Sequence, residues 1–279
     1  MESLLKATKD LCRFYNIKPI SSRGQNFLIK KDVYSRIIRA GELSPEDTVL
    51  EVGPGLGFLT FELAKRVRRV TAIELDGKLA AALEDRVKSG SYKNIGIINK
   101  DILSLDPRKD IKGAGEYKIV ANLPYNITSI FLRRFLSEVK APRSMTLMLQ
   151  KEVAERILTD PPASILAVMV NFYSDPQFVG TVNRTCFWPQ PRVDSAIVHL
   201  QVKESIPELD EDGFFKLVRA GYSSRRKMLK NNLSAVFNIS GHDVLEIMSE
   251  ASIPSTARAQ DLSVNNWIDL FGAFEKNVI

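Results

Sequence analysis

Asn122-Leu123-Pro124-Tyr125 is the segment of this 279-residue chain whose residue types most directly imply chemistry. An exocyclic amine on an aromatic ring is a poor nucleophile, because its lone pair is delocalised into the ring. A protein that makes such a nitrogen attack an electrophilic methyl group must accept the N–H protons and hold the nitrogen in line. The Asn122 side-chain carbonyl and the Leu123 or Pro124 backbone carbonyl are acceptors of that kind, and Pro124 stiffens the turn that carries them. Tyr125 adds a ring on which an extruded base can stack, a contact worth about 1–3 kcal/mol per base. An ordinary Asn-x-Pro turn is the competing explanation. Its position at the end of the apolar strand Tyr117–Ala121 argues against it.

Glu51-Val52-Gly53-Pro54-Gly55-Leu56-Gly57 sets three glycines at alternate positions after one strand and before a helix, where backbone can approach a ligand closely. The dinucleotide fingerprint would need glycine at position 58, and that residue is Phe58. Gly53, Gly55 and Gly57 therefore suit a ligand made of an amino acid and a nucleoside, with no pyrophosphate to cradle. Glu74 ends the next strand, Val-Thr-Ala-Ile-Glu, where its carboxylate can accept the protons of two ribose hydroxyls. Asp101 follows a third strand and can accept from an adenine amine, although an N-cap or turn aspartate is its commoner role. Three successive strand ends that present ligand-competent groups on one edge make coincidence a poor explanation.

The elements that must hold these residues have an α/β pattern. Strands at Val49–Val52, Val70–Leu75, Ile95–Ile98 and Tyr117–Ala121 alternate with helical spacing at Phe58–Val67 and Lys78–Val87, the mark of a parallel sheet flanked by helices. Met145–Leu149, Val179–Val182 and Ile197–Val202 add strands, and Lys151–Leu158 and Ile165–Tyr173 add helices. After Glu204 only helical signals remain, including Phe214–Ala220 and a Ser263–Asn266 cap before Trp267. This divides the chain into a catalytic domain over 1–204 and a smaller all-helical domain over 205–279.

Hydrophobic residues at 44% and charged ones at 26% describe a folded globular chain, and the net charge of +6 favours a polyanionic partner. Arg225, Arg226, Lys227 and Lys230 cluster in what reads as a helix, with Leu229 and Leu233 facing inward, and are candidates for phosphate contact. Arg133-Arg134 and Arg66, Arg68 and Arg69 could extend that patch. Cys12 and Cys186 are too few and too widely spaced for a disulfide framework or a zinc site. His199, in an apolar strand, reads as packed and His242 as capping, so no metal is expected. No run of about 18 apolar residues suggests a membrane span or a signal peptide, which points to a cytoplasmic protein.

Taken together these segments resemble the ribosomal RNA small-subunit adenine dimethyltransferase family, over nearly the whole chain. Gly24-Gln25-Asn26-Phe27-Leu28 is similar to that family's N-terminal cofactor-lid motif, and Glu51 to Gly57, Glu74, Asp101 and Asn122 to Tyr125 follow in its order. Leu149 to Arg156 and Phe187 to Ser195 resemble segments around its target-base pocket, and Arg225 to Asn232 the opening of its helical domain. Arg23 and Ser164-Ile165 depart from the usual residues. The resemblance implies a Rossmann-like class I methyltransferase sheet and S-adenosylmethionine as cofactor, contacted by Asn26, Leu28, Gly53, Glu74, Asp101 and Asn122. It also implies dimethylation of two adjacent adenines near the 3′ end of small-subunit rRNA, in a pre-ribosomal particle, by a monomeric enzyme. A large-subunit rRNA adenine methyltransferase of the macrolide-resistance type shares the cofactor motifs, and a non-catalytic assembly factor could share the fold.

Overall fold

A computed structural model describes residues 3–20, 24–90, 92–111 and 116–278; Arg23 lies outside them. The strands are β1 (Phe27–Leu28), β2 (Thr48–Val52), β3 (Arg69–Glu74), β4 (Ile95–Asn99), β5 (Lys118–Asn122), β6 (Ser144–Gln150), β7 (Ser174–Val182), β8 (Phe187–Trp188) and β9 (Ser195–Val202). Seven of them form one sheet in the order β4-β3-β2-β5-β6-β9-β7. The strands β2 to β6 pair in parallel and β9 returns antiparallel beside β6. The remaining two make a short antiparallel ladder, with Phe27 opposite Trp188 and Leu28 opposite Phe187.

The run Thr-Val-Leu-Glu-Val of β2 is buried at every position, as a central parallel strand covered on both faces must be. Strand order reverses at β2: β3 and β4 lie to one side, β5 and β6 to the other. At such a switch point the connections diverge and leave a crevice beyond the carboxyl ends, here those of β2 and β5. The α/β class I methyltransferase sheet implied by the sequence is therefore present, and its crevice opens beside Gly53 and Asn122.

Helices α1 (Leu4–Phe14) and α2 (Lys31–Ala40) occupy an N-terminal stretch in which the sequence suggested no element. They are followed by α3 (Phe58–Ala64), α4 (Gly77–Ser89), α5 (Pro107–Asp110), α6 (Thr128–Arg133), α7 (Lys151–Leu158) and α8 (Ile165–Tyr173). Local capping explains several starts. Ser3 accepts from the Lys6 N–H, Asp76 from those of Lys78 and Leu79, and Ser164 from that of Ala167, each satisfying a donor that the first turn leaves open.

The chain forms two compact units, one of Met1–Ala154 with Asp175–Lys203 and one of Glu155–Ser174 with Glu204–Ile279. The first is thus not the uninterrupted stretch 1–204 expected from sequence. The reason lies in α8, whose sequence Ile-Leu-Ala-Val-Met-Val-Asn-Phe-Tyr is apolar nearly all round and must be enclosed. Within the second unit, Phe172 stacks on Phe214 at 4.9 Å and Tyr173 on Phe215 at 5.9 Å, both partners in α9 (Glu211–Gly221). The unit continues with α10 (Leu229–Phe237), α11 (Gly241–Glu250) and α12 (Val264–Val278). A reciprocal box closes the start of α12: Ser263 N–H donates to Asn266 Oδ1 at 3.1 Å and Asn266 N–H to Ser263 Oγ at 3.1 Å.

Candidate active site and basic loop

Two adjoining cavities occupy the crevice. Asn26, Leu28, Glu51 and Asn122 border the first, Asp101 and Ile102 the second, and Gly53, Glu74 and Pro124 border both. Gly53, Gly55 and Gly57 have φ of +66°, +55° and +79°, a region that strains any residue with a Cβ. Their surroundings differ. A Cβ on Gly53 would lie 3.7 Å from the Asn122 carbonyl oxygen and one on Gly55 3.1 Å from Phe27 Cε1, both beside the cavity. One on Gly57 would come within 2.3 Å of Leu83 Cδ1 on α4, and Gly57 borders neither cavity. Gly57 thus has a packing role against α4, and the cofactor contact expected there rests on the sequence motif alone.

Glu74 is 7% exposed. Its Oε2 accepts the Gly55 N–H at 3.1 Å and its Oε1 the Asp76 N–H at 3.0 Å. Each carboxylate oxygen keeps a second acceptor site, so the expected capacity for two hydroxyl protons survives. Burial raises its pKa, and the backbone N–H groups of Asp76, Gly55 and Leu75 pull the other way.

Glu51, named in the sequence motif but given no role there, is the more unusual acid. It is 1% exposed at the penultimate position of β2, and its Oε2 has no hydrogen-bond partner. Burial, reinforced by the charge of Glu74, pushes its pKa up to about 8. Asn26 Oδ1 is likewise buried and unpartnered. Two orphaned acceptors bordering one cavity ask for a donor-rich, preferably cationic group.

Asn122 closes β5, and its Nδ2 donates to the Asn26 carbonyl at 3.4 Å. That contact spends the amide nitrogen and leaves Oδ1 as an acceptor. Leu123 N–H donates to Met148 O at 3.2 Å, while Pro124 O already accepts the Ile127 N–H at 3.2 Å. Of the two backbone carbonyls left open by the sequence, that of Leu123 is therefore the freer. Tyr125 is half-buried, and its hydroxyl lies 2.7 Å from Ser195 Oγ. Gly24, at φ +73°, brings the Gln25–Leu28 segment against this turn; a Cβ there would lie 3.0 Å from Pro124 Cβ.

Asp101 caps a 3-10 turn at Ile102–Ser104 through an Oδ1 bond from the Leu103 N–H at 2.9 Å, and it also borders the second cavity. The capping and ligand roles are compatible because the second carboxylate oxygen stays available. The sequence motifs assign no role to Gln25 or Leu75, which also border the second cavity. Gln25 accepts the Ile20 N–H at 2.8 Å and donates to Asp76 Oδ2 at 3.1 Å, a link across 51 residues for which no local signal exists. Leu75, 69% exposed beside Glu74, did leave a signal, an apolar residue just past an acid at a strand end. His199 is a packed residue as expected: its Nδ1 pairs with Thr146 Oγ1 at 2.9 Å, and burial lowers its pKa.

In the second unit, Arg225, Arg226 and Lys227 lie exposed in the connection between α9 and α10, and only Lys230 is helical. This corrects the expectation of a cluster inside one helix. The cause is Asn232, 2% exposed, whose Nδ2 donates to Gly221 O at 2.6 Å and Ser224 O at 3.0 Å and so ties the connection back on α10. Leu229 and Leu233 are fully buried, as expected. Arg66, Arg68, Arg69, Arg133 and Arg134 belong to the first unit. Arg66 bonds Glu62 at 2.9 Å and Arg134 bonds Leu105 O at 3.0 Å.

A sequence model described as ribosomal RNA adenine dimethylase matches residues 18–276. A ribosomal RNA small subunit methyltransferase A from Dehalococcoides mccartyi is 41% identical over 278 residues, 99% of this chain and 95% of that one. A protein of the same description from Clostridium botulinum is 38% identical over 266 residues, 93% of this chain and 95% of the relative. Among solved structures, a dimethyladenosine transferase from Plasmodium falciparum superposes with a TM-score of 0.77 at 27% identity, covering 91% of this chain and 98% of that one. The 23S rRNA methyltransferase ErmE superposes at 0.72 with 29% identity, covering 90% and 100%.

Proposed function

The chain belongs to the ribosomal RNA adenine dimethylase family, and from that premise we propose that it dimethylates the exocyclic amines of two adjacent adenines near the 3′ end of small-subunit rRNA. The observation that carries this is the Asn122–Tyr125 turn at the switch point of the sheet, with one side-chain and one backbone carbonyl free to accept amine protons. The chain is an S-adenosylmethionine-dependent methyltransferase, and the crevice suits that group. The unpartnered oxygens of Glu51 and Asn26 fit its ammonium, Glu74 the ribose hydroxyls, the exposed Leu75 side chain the purine face and Asp101 the purine amine. Gly53, Gly55 and Leu28 wall the cavity.

When bound, S-adenosylmethionine supplies an electrophilic sulfonium methyl. Asn122 Oδ1 and the Leu123 carbonyl accept the two amine protons, which localises the nitrogen lone pair and aims it in line. The Tyr125 ring stacks on the extruded base. No side chain has to act as a covalent nucleophile. Each transfer releases one amine proton to solvent, so after the first a single N–H remains, and one of the two acceptors holds it for the second. The exposed Arg225, Arg226 and Lys227, with Lys230, meet RNA phosphates. The substrate is taken as a pre-ribosomal small subunit, bound by a monomer in the cytoplasm where such particles assemble; no described helix is long and apolar enough to cross a membrane.

Similarity to a 23S rRNA methyltransferase keeps large-subunit RNA as a second reading. The small-subunit address is favoured by relatives of that description at 36–42% identity over nearly the whole chain. Incubation with unmodified small or large subunits and labelled cofactor, followed by mass-spectrometric mapping, decides between them. Two dimethylated adenines in small-subunit RNA are expected; transfer confined to large-subunit RNA would reverse the assignment.

A further inference from the structure

We infer that Ser195 is a positioning residue for the target base, acting by clamping the Tyr125 ring through its phenolic hydroxyl. The two oxygens lie 2.7 Å apart although the residues are 70 positions apart in sequence. Ser195 is fully buried at the first residue of β9, directly opposite Gln150 in the antiparallel ladder with β6. The preceding Asp194 carbonyl accepts the Lys151 N–H at 3.0 Å. The serine backbone is thus held against the end of β6, and its hydroxyl has no other hydrogen-bond partner among the described residues.

Tyr125 is anchored at its other end by the turn that follows Pro124, whose carbonyl accepts the Ile127 N–H at 3.2 Å. A tyrosine held only at its backbone can swing about χ1 and χ2 and presents its face to an incoming base part of the time. Pinned at both ends, the ring loses no rotamer freedom when the base stacks, and the base stops where the Asn122 and Leu123 acceptors can reach its amine. A hydroxyl bond made only to satisfy the fold would serve equally well with water, which a half-buried tyrosine could reach. Here the bond runs inward to a fully buried partner, at the head of the strand that neighbours β6. The inference rests on Tyr125 being the stacking platform.

The test uses full-length protein, reconstituted unmodified small subunits whose RNA carries 2-aminopurine at the target position, and matching subunits with adenine. The fluorescent base lacks the 6-amine, so its quenching reports stacking without transfer. Ser195→Ala and Tyr125→Phe remove the same bond from opposite sides. Each is expected to weaken quenching and to lower the single-turnover rate at saturating cofactor roughly 3- to 10-fold, with cofactor affinity unchanged. The double variant should be no slower than either single one, because one bond cannot be lost twice. Wild-type quenching and rate in Ser195→Ala, with only a lowered melting temperature, would make the bond structural and overturn the inference. Multiplicative losses in the double variant would overturn it too. Absence of quenching in the wild type, beside normal transfer to adenine, would instead remove Tyr125 as the platform and this inference with it. Should Ser195→Ala fail to fold, Tyr125→Phe reads the same bond.

Discussion

A carboxylate buried within a fully covered parallel strand is hard to justify by folding alone. Glu51 costs the empty protein a desolvated acid, and the direction of its pKa shift makes that cost pH-dependent. With its native pKa at about 8 and an unfolded value of about 4.3, the native state holds the extra proton between those limits, so stability falls as pH rises through that window. Without cofactor, Glu51→Gln should therefore melt progressively higher than wild type on going from pH 5 to pH 8. The same substitution should weaken cofactor binding, since a carboxyl able to ionise beside the ammonium is replaced by an amide that cannot. Calorimetry across pH checks both, and a pH-independent difference in melting temperature would mean that Glu51 is ionised throughout. Asn122 makes the opposite case, as it is only half-buried and contributes one long bond. Asn122→Ala should leave folding and cofactor affinity nearly intact and lower the transfer rate at least 100-fold, by analogy with removal of a single preorganised transition-state partner. A loss below tenfold in single-turnover measurements would remove it from that role.

At the scale of elements, the three glycines of the β2–α3 turn separate ligand room from packing room. Gly57→Ala would place its Cβ 2.3 Å from the buried Leu83 side chain and strain a left-handed φ, so a loss of about 2–4 kcal/mol in unfolding free energy is expected. The folded fraction should bind cofactor normally. Gly53→Ala meets nothing closer than 3.7 Å, so it should cost about 1–2 kcal/mol, while the methyl intrudes on the cavity and weakens cofactor binding. Denaturant titration beside calorimetry tests this contrast; equal effects of both substitutions on affinity would contradict it. The same scale explains what was legible in the sequence. Strand ends carrying Gly53, Glu74, Asp101 and Asn122 could be read because each lies next to its own strand, and parallel topology then gathers the ends on one edge. The links from Gln25 to Asp76 and from Tyr125 to Ser195 join distant segments and left no local trace. Helices α1 and α2 stand outside the alternating strand and helix pattern, so that pattern does not point to them. Arg225 to Lys227 are good helix formers by type, yet a single buried amide, that of Asn232, claims the Gly221 and Ser224 carbonyls and fixes a turn.

Over the whole molecule, a net charge of +6 provides a general attraction to RNA, but the basic loop concentrates part of it in the second unit, whereas the described residues that line the two cavities belong to the first. Attraction and chemistry are therefore separable by mutation. Replacing Arg225, Arg226 and Lys227 together by Ala removes three exposed cations and none of the bonds made by Asn232, so the turn itself should persist. If each cation neutralises a phosphate, the slope of log K against log salt should become shallower by about 2–3. Affinity should fall most at low ionic strength and converge on wild type as salt is raised. At saturating small subunits the single-turnover rate should match wild type, because Asn122, Leu123 and Tyr125 are untouched, and the defect should appear only as a higher subunit concentration at half-maximal rate. A filter-binding titration at several salt concentrations, paired with single-turnover kinetics, checks both halves. An unchanged salt slope would strip the loop of its phosphate contacts. A lowered saturating rate would show instead that these cations help to orient the RNA for transfer, beyond drawing it to the protein.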